Sequence, residues 1–198
     1  QHADARRYYE QALVKHRAAG DARGEAVTLT RIGWVHHVSA ELQQALDASR
    51  QALQIYRDIG DPVGESVAYN DLGRAYLDLG EVPQALEAFH HALALRPPGR
   101  DASGAANILI RIGLAYVNVA EWQQALEALQ KARELAQQAR NVRAEITAMI
   151  NLGSTHVTLG GAADGLRYLE PALKLARSID FRGAEAQALL WMGMAATL

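Results

Sequence analysis

The chain has 198 residues, enough for one or two domains with a sizeable core. A formal net charge of −2 leaves no basic footprint for nucleic acid, and no run approaches the roughly 20 apolar residues of a membrane span. With no cysteine there is no disulfide, thiolate nucleophile or cysteine-bound zinc, and the richness in alanine and leucine favours helices.

The sequence opens on Gln1 rather than Met, so the chain is expected to be a fragment of a longer multidomain protein. Residues 1–20 read as the end of a repeat, carried by Ala5, Tyr9 and Ala12. A period then begins. Gly33, Gly73, Gly113, Gly153 and Gly193 stand 40 residues apart without insertion, each after an aliphatic residue or Met: Ile32, Leu72, Ile112, Leu152, Met192. Twelve residues beyond the first four glycines come Ala45, Ala85, Ala125 and Gly165. The text around them recurs as "ELQQAL", "EVPQAL" and "EWQQAL", and the connectors as "GDARGEA", "GDPVGES" and "RDASGAA". The period predicts repeats at about 24–60, 64–100, 104–140 and 144–180, with a partial one at 184–198.

Each repeat has helical spacing. Tyr69, Leu72, Gly73 and Tyr76 fall at i, i+3, i+4 and i+7 and predict a helix from about 64 to 79. Gly80 suits its left-handed end. Glu81 and Gln84 open a second helix from about 82 to 96, lined by Ala85, Phe89 and Ala92 and stopped by Pro97-Pro98. Asp21 and Asp61 are placed to cap first helices, with Glu25 and Glu65 in the first turns. Gly165 with Pro171 predicts a kink in the second helix of the 144–180 repeat.

Tyr69, Leu72-Gly73, Tyr76, Ala85, Phe89, Ala92 and Pro97 together resemble the tetratricopeptide repeat (TPR) pattern position by position. Leu109, Ile112, Gly113, Tyr116, Ala125, Leu129 and Ala132 follow it in the next repeat, and Met149, Leu152, Gly153, His156, Leu169 and Ala172 in the one after. The 40-residue period exceeds the usual 34 or so and resembles the longer-helix subtype of kinesin light chains and bacterial signalling proteins. The resemblance implies an all-α fold, a right-handed superhelix (α-solenoid) of stacked antiparallel helix hairpins, forming a single array over 1–198. It also implies that the concave groove binds, on the first-helix face opposite the core stripe. That face takes Val27, Arg31, Trp34 and Val38; Val67, Asp71, Arg74 and Asp78; Asn107, Arg111, Leu114 and Asn118; and Thr147, Asn151, Ser154 and Thr158, with His37 and Asn70 beside it.

Rival chemistries find little footing. His36 occupies the position of Tyr76 and Tyr116, and His37 points about 100° away from it, so the pair cannot share a metal. His90-His91 belongs to a single Glu-x-x-His, where a di-iron bundle needs two. Ser49, Ser66, Ser103 and Ser154 lack a nucleophile elbow, and the glycine connectors lack phosphate-loop spacing. The expectation is a non-enzymatic, cytoplasmic scaffold with no cofactor and no metal. Its partner is a protein or peptide lying extended in the groove, not nucleic acid or membrane. Arg31, Trp34, His37, Asn70, Asp71, Arg74, Asp78, Arg111, Leu114, Asn118 and Asn151 are the candidate groove residues. Alternatives are a self-associating or spacer array, with end-to-end association possible, and a sensor of a small peptide or metabolite. The sensor would show a closed apolar pocket among Ile110, Leu114, Val117 and Ile150.

Overall fold

A computed structural model describes residues 2–96 and 99–198; the expected stop at Pro97-Pro98 lies outside them. Among the described residues there are ten α-helices and no strand. They fall into two compact units, residues 1–96 and 97–198, where the sequence predicts one array. The division coincides in sequence with the Pro-Pro pair between two repeats. The first unit holds α1 (His2–Ala19), α2 (Ala22–Val38), α3 (Leu42–Asp58), α4 (Pro62–Asp78) and α5 (Val82–Ala94). The second holds α6 (Ala102–Asn118), α7 (Trp122–Gln138), α8 (Val142–Thr158), α9 (Ala162–Ser178) and α10 (Arg182–Ala195). The pairs α2/α3, α4/α5, α6/α7 and α8/α9 are the four predicted hairpins. α5 ends at Ala94, short of the predicted 96, and α9 remains one helix through Pro171.

The junctions explain the 20-residue beat beneath the 40-residue period. Residues 20, 40, 60, 80, 120, 140, 160 and 180 all have φ between 52° and 82°. Each is the left-handed residue that closes a helix. At the end of α2, Ala40 N–H donates to the His37 carbonyl (3.0 Å) and Glu41 N–H to the His36 carbonyl (2.9 Å), the two bonds of a Schellman turn. The second of those residues is already the N-cap of the next helix. Two residues therefore reverse the chain, and glycine meets the conformation without steric cost at Gly20, Gly60, Gly80 and Gly160. Four first helices, α2, α4, α6 and α8, start on a side-chain cap. Asp21, Asp61, Asp101 and Asn141 accept from the backbone N–H of residues 24, 64, 104 and 144 at 2.8–3.1 Å.

The crossing in the α4/α5, α6/α7 and α8/α9 hairpins is close because one residue lacks a side chain. A Cβ at Gly73 would sit 2.6 Å from the Phe89 ring, and at Gly113 or Gly153 2.6 Å from Leu129 or Leu169. Those three partners are 0% exposed, and Ala85, Ala92, Ala125, Ala132 and Ala172 are sealed with them. Volume near Phe89 or Leu129 is filled, so these sites tolerate neither added nor removed atoms. Beyond its hairpin partner, α2 packs against α4, α6 against α8, and α8 against α10. First helices of successive hairpins thus lie side by side within a unit and share one face.

Candidate functional site

On that face, each unit opens a pocket between two first helices. In the first unit it has a volume of about 370 Å³ and is walled by Arg23, Val27, Thr30, Arg31 and Trp34 of α2 and by Val63, Gly64, Val67 and Asp71 of α4. Asp61 and Tyr56 complete it. In the second unit the pocket is about 460 Å³, between α6 (Asn107, Ile110, Arg111, Leu114) and α8 (Arg143, Ala144, Thr147), with Asn141 at its end. Adding 80 to Val27, Thr30, Arg31, Trp34, Asp61, Val63, Gly64 and Val67 gives all eight lining residues of the second pocket. The repeat rebuilds the cavity at the same positions with different chemistry.

Local folding sets each wall. Asp61 caps α4 through Gly64 N–H (3.1 Å) and receives Arg23 at 2.9 Å, so one carboxylate both starts the helix and closes the pocket end. Gly64 leaves room for the Tyr56 ring, which a Cβ would meet at 2.1 Å, and the ring forms the pocket floor. The aligned pair in the second unit is Ala136 and Ala144, and that pocket has no tyrosine in its lining. Val27, Trp34 and Val63 give the first pocket an exposed apolar rim, at 44%, 43% and 57%. Its lining balances two cations, Arg23 and Arg31, against two carboxylates, Asp61 and Asp71. In the second pocket Asp61 becomes Asn141, while Asn151 aligns with Asp71. What remains is Arg111 and Arg143 with no carboxylate in the lining.

The predicted groove residues divide accordingly. Arg31, Trp34 and Asp71 come together in the first pocket, and Arg111 and Leu114 in the second. Arg74 stands behind Asp71, bonded at 3.2 Å with 18% of its side chain exposed, and is a bound cation rather than a solvated one. His37 faces Asp78 at 2.6 Å, outside hydrogen-bond alignment, towards the C-terminal ends of α2 and α4. Asn70 is half-buried and Asn118 exposed; neither lines a pocket described here. Asn151 gives its amide to the Thr147 carbonyl (2.8 Å) of its own helix. The closed apolar pocket expected of a small-molecule sensor is not what forms at Ile110 and Leu114. They line an open, polar-rimmed cavity, while Ile150 is buried in the core around α9 and α10. Sequence reasoning missed Arg23, Asp61, Asn141 and Arg143. The signal was available in the cap positions, because a residue starting one first helix also faces the preceding one.

Three other histidines, His36, His91 and His156, pack against neighbouring side chains. His36 bonds Glu41, which also receives Arg6 at 3.3 Å. His91 stacks on Tyr69 with ring centroids 4.9 Å apart, and Arg57 covers the same tyrosine. His156 stacks on Tyr168. Among the described residues no group of three or more His, Asp or Glu is placed to hold a metal ion, and no helix is long and apolar enough to cross a membrane.

The family profile described as Tetratricopeptide repeat matches residues 64–138 and, in overlapping register, 104–178. The chain belongs to the tetratricopeptide repeat family. Solved structures agree on the fold of this TPR chain. The aspartyl phosphate phosphatase F of Bacillus subtilis superposes with a TM-score of 0.84 at 15% identity, over 94% of this chain and 50% of that one. A Rap protein complexed with competence and sporulation factor gives 0.84 at 15%, over 92% and 51%. The kinesin-light-chain TPR-like repeats of Podosopora anserina give 0.73 at 15%, over 91% and 89%. The TPR chain therefore spans about half the length of the first two of these structures. No curated protein matches it in sequence.

Proposed function

We propose that this TPR chain is a protein-interaction module, part of a larger signalling or regulatory protein, that holds an extended segment of a partner on the first-helix face. The observation that carries this is the recurrence, at 80-residue spacing, of a solvent-open pocket built by the same eight positions. An extended chain projects alternate side chains to one side, and each pocket, with mixed polar and apolar walls, is open to receive one. The complex described for one structural relative, a Rap protein with competence and sporulation factor, lends the reading support from the same fold.

Trp34 is the anchor to test, because a half-exposed aromatic on a pocket rim gains most from desolvation. Partners are captured from cell extract on the intact chain, and their affinities measured by calorimetry. Trp34→Ala and Arg31→Glu are each expected to weaken binding about tenfold or more at unchanged helicity. Glu87→Ala and Lys131→Ala, on second helices, are expected to leave it intact. Equal affinities in all four variants would move the binding surface off the first-helix face.

A second reading, association between copies, is favoured by α10, where Leu189, Leu190 and Met194 are exposed at 45%, 63% and 46%. Sedimentation decides it: Leu190→Glu dissolves such a dimer, and a monomer at every concentration rules it out.

A further inference from the structure

We infer that the pocket of the second unit selects an acidic side chain, so that the partner segment carries an aspartate or glutamate where it crosses α6 and α8. This rests on the first-helix-face reading above and adds the chemistry that one pocket recognises. The argument is the difference between two cavities built on one plan. In the first, Arg23 lies 2.9 Å from Asp61 and Arg74 lies 3.2 Å from Asp71, so each carboxylate already holds a cation. In the second, asparagines stand at both carboxylate positions, and Arg143 is added where the first pocket has Val63.

The asparagines do not leave the second pocket disordered. Asn141 caps α8 through Ala144 N–H at 3.1 Å and donates from its amide to Ser103 Oγ at 2.8 Å. The cap is thereby kept and its negative charge removed. Arg143 lies over the Phe181 ring, 4.7 Å from its centroid, a contact that holds the guanidinium at the pocket while its five N–H groups remain the donors a carboxylate needs. Arg111 already engages another group, so Arg143 is the cation that distinguishes this pocket. Asn107 and Thr147 add neutral polar groups to the walls, and Ile110 and Leu114 an apolar side for a methylene stem. Arg143 beside apolar surface fits a carboxylate on a short aliphatic stem; a free inorganic anion would leave the apolar side unused.

The test uses the whole chain and capped synthetic peptides that alternate leucine with glutamate, glutamine or phosphoserine, titrated by calorimetry at low and at physiological salt. The glutamate peptide is expected to bind about tenfold more tightly than the glutamine peptide, with the margin shrinking as salt rises. Asn141→Asp keeps the cap, as Asp21, Asp61 and Asp101 show, while returning a carboxylate to the pocket. It is expected to erase the margin at an unchanged melting temperature, and Arg143→Gln to erase it likewise. Equal binding of the glutamate and glutamine peptides overturns the inference. If that shared binding is still weakened by Trp34→Ala, the groove reading survives alone. A phosphoserine peptide that outbinds the glutamate one reassigns the anion and overturns the carboxylate. No binding by any of the peptides overturns both the inference and the reading beneath it.

Discussion

A methyl group added at Gly73 would meet the Phe89 ring at 2.6 Å, whereas the same methyl at Gly193, the equivalent place in its own repeat, meets nothing within 4 Å. The two glycines are indistinguishable in sequence register and opposite in environment. Phe89 is fully enclosed, so the ring cannot swing away, and Gly73→Ala is expected to cost about 1–3 kcal/mol by overpacking. Gly193 lies within α10 with open space beside it, so Gly193→Ala gains helix propensity, up to about 1 kcal/mol. Denaturant unfolding of both variants checks the pair, and effects of the same sign would contradict the packing described. The same contrast separates the arginines of the groove. Arg31 stands exposed on the pocket wall, while Arg74 is held against Asp71, so Arg74→Glu would set two carboxylates side by side and confound folding with binding. Repeat register tells which face an arginine is on. It does not tell whether an arginine turns onto a carboxylate one turn away on its own helix, as Arg74 does onto Asp71, because that depends on the rotamer each side chain adopts.

Helix ends were the most legible elements, because each is set by chemistry within a few residues. Asp21, Asp61 and the glycines at 20, 60 and 80 announce caps and left-handed turns without reference to the rest of the fold. Ala40, Ala120, Arg140 and Asp180 adopt the same left-handed turn with no such announcement, and only the period reveals them. The caps also make a pH prediction. The Asp21 carboxyl is held below its ordinary value of 3.8, chiefly by the Gly24 N–H and further by His16. A carboxylate with a depressed folded-state value stabilises the fold above its unfolded value, and the contribution is lost as pH falls through the lower folded value. The window thus opens near 3.8 and extends downward. Asp21→Asn is expected to keep the cap, as Asn141 does for α8, and to flatten the acid limb of a plot of melting temperature against pH. Parallel acid limbs for parent and variant would assign the loss to other carboxylates.

At the scale of each unit, the relevant fact is that, among the described residues, contacts between helices join neighbours or next-but-one neighbours in the chain. Stability in such an array is a sum of hairpin terms and nearest-interface terms, so a hairpin is removable if the cut keeps register. Deleting residues 104–143 removes one full 40-residue period. It joins Ser103 to Ala144, so Asp101 comes to stand three residues before the Ala144 N–H in place of Asn141. The shortened chain is expected to keep its helical fraction by circular dichroism and to melt in one cooperative step at a lower temperature, since an interface has been lost. Deleting only residues 104–123 removes half a period and sets a first-helix cap in front of a second-helix sequence. Ala125 and Leu129 then lose the helix carrying Gly113, against which Leu129 closes the crossing. That chain is expected to lose cooperativity and expose apolar surface, read as a broad melt with dye binding. Retention of a sharp melt by the half-period deletion, or its loss by the full-period one, would show that the stabilising unit is not the 40-residue hairpin.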